Sequence, residues 1–292
     1  MTAPVDPVRE AAFGAWPGRA VTPLPAAGRA RWMAGVALGG QGSYASANRA
    51  LITLLSDLDR VTGALAATTI ASHRRQLGGH AAARVLDSRA LGLLAGAIEG
   101  AKDPDGGDPD GGDALGARSD ALLGLAADAL GGGRLGEARR MLARARRLGD
   151  TRWRAGVRLA WVTAEVELAS GAPEAAIPPA ESAVERARAC ASVRHQVKSD
   201  LVLAAALAAR GGSPARARAL LDDVAETGVR HGLVPLVWPA HLLLAEVDAK
   251  NADRHRAEAM AVLRSVLLAT DPAGRRLAAD SPWVPKPVAP TR

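Results

Sequence analysis

Apolar residues recur along this chain every three to four positions, in runs long enough for several helical turns, and short glycine-containing breaks separate the runs. That period marks amphipathic helices. Period and breaks together predict helices over 27–38, 43–58, 61–77, 80–98, 115–130, 135–148, 153–169, 174–191, 192–209, 214–229, 233–249 and 252–268. Pro173 and Pro214 fall just after their glycines, where a helix's first turn tolerates proline because that N–H would be unpaired anyway. Pro235 and Pro239 interrupt the next-to-last run and predict a kink or a late start. Strands are not expected, since the chain holds one Tyr, one Phe and no β-branched alternating run.

Five times a glycine is followed five residues later by alanine and preceded seven residues earlier by glycine or alanine. The sets are Gly35–Gly42–Ala47, Ala71–Gly78–Ala83, Ala126–Gly133–Ala138, Ala164–Gly171–Ala176 and Ala205–Gly212–Ala217. Successive turn glycines stand 36, 55, 38 and 41 residues apart, the long interval holding an insertion. Nine residues after each glycine come Leu51, Asp87, Leu142, Ala180 and Leu221, and twelve after come Leu54, Ala90, Ala145, Ala183 and Val224. Small residues let two helices cross closely and glycine lets the chain turn, so the spacing predicts a repeated helix–turn–helix unit.

The clearest unit runs over 122–147, with Leu122, Leu125, Ala126, Gly133, Leu135, Ala138, Leu142 and Ala145 at its stations, and Tyr44 adds an aromatic two residues after Gly42. This pattern resembles the tetratricopeptide repeat, although most of that family's large aromatics are Leu or Ala here and its closing proline is absent. The resemblance covers roughly 29–265. It implies an all-α fold, an α-solenoid of antiparallel helix pairs with about five to six pairs, stabilised between neighbours rather than around one centre.

Composition divides the chain further. Residues 1–28 are rich in Pro and Gly and are expected to be a flexible N-terminal segment; 29–100 hold the first two helix pairs. The stretch 101–114 contains KDPDGGDPDGGD and is expected to be a flexible Asp/Gly-rich loop. Its resemblance to a calcium loop fails, because the twelfth position counted from Asp103 is Ala114 rather than a glutamate. Residues 115–268 hold the remaining pairs, and 269–292 are expected to be an extended Pro-rich tail.

The 292 residues include 66 alanines and carry a formal net charge of +7, nearly all of it from arginine, with only Lys102, Lys198, Lys250 and Lys286. Arginines such as Arg139, Arg140, Arg144, Arg146 and Arg147 lie on second helices and read as a solvated outer face. No helix-turn-helix, zinc or stacking-aromatic motif accompanies them, so nucleic acid is not an expected partner. The start lacks a basic and apolar leader, and the uncharged stretches 201–209 and 232–245 are too short to span a bilayer. Cys190 is the only cysteine, which leaves no internal disulfide and no thiolate metal cluster. The expectation is a cytoplasmic protein with no membrane contact.

Catalytic motifs do not hold. Gly131-Gly132-Gly133-Arg134-Leu135-Gly136 fits G-x-G-x-x-G, but a helical run rather than a strand precedes it, so these are expected to be turn glycines. Asp222, Asp223 and Glu226 resemble the carboxylates of all-α prenyl-chain enzymes without the aromatic walls those pockets need. His73, His80, His195, His231, His241 and His255 show no paired metal-ligand spacing. No catalytic residue, cofactor or metal is expected.

In tetratricopeptide arrays the first helix of each pair lines the concave groove. The matching stations here are Thr68, Ser72 and Arg75, then Arg158, Trp161 and Glu165, then His195, Lys198 and Asp200 at the head of the helix over 192–209. The expected function is a non-enzymatic adaptor that binds a protein or peptide partner in that groove. The alternative is a ligand- or peptide-sensing regulatory module acting on a transcription factor in trans.

Overall fold

A computed structural model describes residues 6–26, 28–95, 107–212 and 214–286. The described residues form fourteen α-helices and no strand: α1 (Pro7–Phe13), α2 (Gly28–Gly40), α3 (Tyr44–Ile52), α4 (Arg60–Gln76), α5 (His80–Leu93), α6 (Ala114–Gly131), α7 (Leu135–Arg147), α8 (Trp153–Ala169), α9 (Pro173–Arg188), α10 (Val193–Arg210), α11 (Pro214–Arg230), α12 (Val234–Val247), α13 (Ala252–Leu268) and α14 (Pro272–Asp280). From α2 to α13 they pack in adjacent pairs, α2 with α3 through α12 with α13. The first helices of successive pairs also touch one another, in the order α2, α4, α6, α8, α10, α12.

Local chemistry explains the boundaries. Asp6, Asp59, Asp113 and Asp271 cap α1, α4, α6 and α14, each carboxylate accepting a first-turn N–H at 2.8–3.1 Å. The five turn glycines have φ of 82° (Gly42), 72° (Gly78), 72° (Gly133), 73° (Gly171) and 76° (Gly212). At Gly133 the glycine N–H reaches the Leu130 carbonyl and the Arg134 N–H reaches Ala129, which closes the end of α6. Pairs of bonds in the same register close α2 at Gly42, α4 at Gly78, α8 at Gly171 and α11 at Gly232. Ala47, Ala83, Ala138, Ala176 and Ala217, five residues beyond the turns, are all 0% exposed. Pro235 sits in the first turn of α12, which continues through Pro239. The described part of the expected helix over 80–98 ends at Leu93.

Both ends carry structure that the sequence reading left out. Within 1–28, expected to be flexible, α1 buries Phe13 against Trp32 and Trp153, with ring centroids 5.7 and 6.5 Å apart. A short Asp-capped helix followed by the chain's one phenylalanine anchors the segment, where Pro and Gly content alone suggested none. Within 269–292, expected to be extended, α14 brings Ala278 onto Leu77 and Leu263, and Val284 follows it into the same cluster. Asp271 and Pro272, inside the stretch expected to be extended, are the cap and first residue of that helix. In 101–114 the described half is not a free loop: Asp110 is buried and accepts Arg9 Nε at 2.5 Å and Trp153 Nε1 at 3.1 Å. The other half, 101–106, lies outside the described residues, as do 287–292.

The last helices meet the first. Ala45 N–H at the start of α3 donates to the Ala269 carbonyl beyond α13 at 2.9 Å, and Arg74 pairs with Asp271 at 2.8 Å. Tyr44, Val266 and Val284 share one apolar cluster. No helix among the described residues is long and apolar enough to cross a membrane.

The turn geometry gives a signed test. A Cβ at Gly133 would meet nothing, so Gly133→Ala should cost about 1–2 kcal/mol from its positive φ alone. Gly92→Ala in α5, equally uncrowded but helical, should instead stabilise by up to about 1 kcal/mol. Urea unfolding of the two variants checks the opposite signs.

Candidate functional site

The first helices carry polar side chains turned into an interior otherwise made of alanine and leucine. Arg75, near the end of α4, donates from Nη1 to Asp87 of α5 at 2.8 Å, to Asp128 of α6 at 2.6 Å and to the Gly124 carbonyl at 3.2 Å. Both carboxylates are fully buried. Gly124 is helical and has no Cβ because the Asp87 carboxylate occupies that space; the His80 ring lies against Gly131 in the same way. Burial pushes the Asp87 carboxyl up from its ordinary pKa; Arg75 opposes that rise and Asp128 adds to it. Burial also works against the Arg75 charge, but the two aspartates outweigh it and hold the cation.

Beside this group, Asp120 of α6 accepts a hydrogen bond from Arg154 at 2.6 Å and forms an ion pair with Arg158 at 3.0 Å, both from α8. Arg154 further donates to the carbonyls of Asp110 and Gly111 and lies 5.5 Å from the Phe13 ring centroid. Arg194 of α10 reaches across to α2, where its Nη1 donates to the Val36 carbonyl at 3.2 Å and its stem crosses Gly40. Burial first, then the neighbouring Arg158 and Arg154, lower its pKa to about 10, against the opposing pull of Tyr44 and Asp120. His73 lies over Gly39, with its ring 5.3 Å from Tyr44. Burial first, then Arg194, Arg74 and Arg75, push its pKa down to about 3, so the ring is neutral.

A third group joins α8 to α10. His195 is stacked on Trp161 at 5.4 Å and meets the edge of Trp153 at 4.7 Å, while Ser192 Oγ lies 2.7 Å from its Nδ1. Burial, then Arg194, Arg154 and Arg158, keep this imidazole neutral as well. Trp161 Nε1 donates to Ser199 Oγ at 2.8 Å, and Lys198 pairs with Glu165 at 3.0 Å while its ammonium sits 5.8 Å from the Trp161 ring centroid.

Of the nine groove residues expected from sequence, Trp161, Glu165, His195 and Lys198 come together in this third group. Arg75 and Arg158 stand in the two ion-pair groups beside it. Asp200 faces Arg188 of α9 at 3.5 Å instead. Thr68 is buried and donates its hydroxyl to Leu65 of its own helix, and Ser72 is half-buried on α4. Asp222 and Asp223 are exposed, Asp222 beside Arg218 at 3.6 Å. Cys190 is half-buried beside a 280 Å³ cavity lined also by Phe13, Asp110 and Trp153.

Sequence reasoning passed over Asp87, Asp120, Asp128, Arg154 and Arg194. A signal existed for Asp87, which occupies the station nine residues after a turn glycine where the other four sets have Leu or Ala. Asp120 and Asp128 stood out only as charges in an otherwise apolar helix. Among the described residues no group of three or more His, Cys, Asp or Glu side chains is arranged to hold a metal. No protein-family model matches the chain, and no curated protein matches it.

Two outcomes follow from the buried charges. In Gly124→Ala a Cβ collides with the Asp87 carboxylate and parts it from Arg75, at a cost of about 2–4 kcal/mol in urea unfolding. His73 takes its proton only in the unfolded chain, since its folded pKa lies below the unfolded 6.5, so stability falls as pH drops from 6.5 toward 3. Between pH 7 and pH 5 this amounts to about 1.5–2 kcal/mol. His195 acts in the same direction and Asp87 in the opposite one, equally in parent and variant. His73→Gln should therefore remove that part of the slope, and identical slopes in pH-dependent unfolding would exclude the assignment.

Proposed function

We propose that this chain is a non-catalytic binding module, a tetratricopeptide-like solenoid of antiparallel helix pairs that holds a peptide segment of a partner protein against its first helices. One observation carries this reading: the chain's own residues 7–19 already lie on those helices as a peptide would. Phe13 fills the space between Trp32 of α2 and Trp153 of α8. The backbone is held too, by Val193 N–H donating to the Gly14 carbonyl at 3.2 Å and by the Gln41 amide donating to the Pro17 and Arg19 carbonyls at 2.8 and 2.9 Å. Aromatic anchors combined with donors to a peptide backbone are general devices of peptide capture.

A ligand-sensing module acting on a transcription factor in trans is the second reading. The joined ends favour it, because the Ala45–Ala269 and Arg74–Asp271 contacts narrow the way in for a long polypeptide.

A photo-crosslinking amino acid placed at Lys198, and separately at the exposed Val85 of α5, tests the proposal in cells. The expected outcome is one discrete protein adduct from position 198 and none from position 85. Equal adducts at both positions, or none at 198, would reject it.

A further inference from the structure

Cationic and anionic groups do not balance in the interior. Arg75 takes up both Asp87 and Asp128. That leaves Asp120 to serve Arg154 and Arg158, while Arg194 stands near them with only a neutral carbonyl, that of Val36, as hydrogen-bond acceptor among the described residues. No ion pair among the described residues includes Arg194. Geometry places these groups together: Arg154 lies 6.0 Å from the Trp32 ring centroid, one helical turn before Val36 on α2, and His195, next to Arg194, stacks on Trp161 of α8. Burial first, and then Arg158 and Arg154, lower the Arg194 pKa.

A guanidinium carries five N–H donors in a planar fork. Arg194 spends one of them on Val36, and Arg158 reaches Asp120 through a single nitrogen. Solvent still reaches the group, the Arg158 side chain being 21% exposed and Arg194 half-buried. A half-buried cation without a paired anion gives up hydration that nothing replaces, and an apolar side chain of similar length would avoid that cost. The chain also gives Arg194 room: a Cβ on Gly40, the last residue of α2, would press on its stem at 3.0 Å. A site that keeps such a cost is built for something that offsets it.

We propose that Arg158 and Arg194, backed by Arg154, bind a small oxyanion, the phosphate or carboxylate groups of a metabolite-sized ligand. Paired guanidinium forks match the planar or tetrahedral oxygens of such groups. Anion binding here does not require a protein partner, although Arg158 of α8 and Arg194 of α10 both lie on first helices.

The test uses the full chain at pH 7 and constant ionic strength, with chloride exchanged for inorganic phosphate or for citrate, and follows Tm. Parent protein should show a saturable rise in Tm with at least one of the two anions. A phosphate-only response identifies a phosphoryl ligand, a citrate-only response a carboxylate one, and either supports the site. Arg194→Met should weaken the apparent affinity about tenfold or more. Without added anion its Tm should equal or exceed that of the parent, which a purely structural arginine would not allow. Arg216→Met, on the exposed Arg216–Glu181 pair, should respond as the parent does. Arg158→Gln provides the same comparison should Arg194→Met fold poorly. No saturable response to either anion, or undiminished responses in both Arg194→Met and Arg158→Gln, would overturn the proposal.

Discussion

Close approach between helices, with alanine or glycine at the crossing, is the constraint on which the rest of this structure depends. Alanine contributes little burial, about 0.8 kcal/mol for each methyl-sized group. An alanine-lined interior therefore gains its stability from many such contacts made at short range and from backbone that is already inclined to be helical. The glycines inside helices extend this logic. Gly35, Gly39, Gly40, Gly124 and Gly131 each lie where a side chain of another element crosses the helix backbone. What crosses at four of the five is polar: His73, Arg194, Asp87 and His80. Close packing and the buried charges are thus one arrangement, because the same missing Cβ atoms permit both.

The electrostatics follow from that packing. Desolvation is the first cause of nearly every displaced pKa in the interior, and it acts against cations and carboxylates alike. Arg75 is met by two aspartates, and Arg154 donates to one aspartate and two carbonyls. Arg194 has neither arrangement, and His73 and His195 respond by remaining neutral. Removing Asp87, Asp120 or Asp128 would leave arginines uncompensated, so the paired residues behave as a coupled group whose effects do not add.

Much of the helix layout was legible in the sequence because its two signals, the 3.6-residue period and the turn glycine, are local. Gly42, Gly78, Gly133, Gly171 and Gly212 all adopt the left-handed backbone that glycine alone takes up cheaply. The termini were misread for a complementary reason. Asp6-Pro7 and Asp271-Pro272 are at once turn formers and helix starts, and which role they take depends on whether Phe13 and Ala278 find a surface to pack on. That information is tertiary. The candidate site was legible one residue at a time: Arg75, Arg158 and His195 could be picked by helical position. Their partners Asp87, Asp120 and Ser192 come from other helices or from a cap, and periodicity does not register charge pairing across elements.

The contact between the two ends reaches beyond the residues that make it. In a linear array each terminal unit has one neighbour, so ends fray first and unfolding proceeds inward. Here Arg74 and Asp271 are joined across 197 residues of chain, and the outermost pairs gain a second neighbour. Among the described residues, opening of the helices beside this contact must then break an interface on both sides. The same closure can form only after the intervening helices are in place, which costs loop entropy late in folding and slows it. Tying these helices together thus exchanges speed of assembly for resistance to local opening, and it couples the loss of α3 and α4 to the loss of the segment that follows α13.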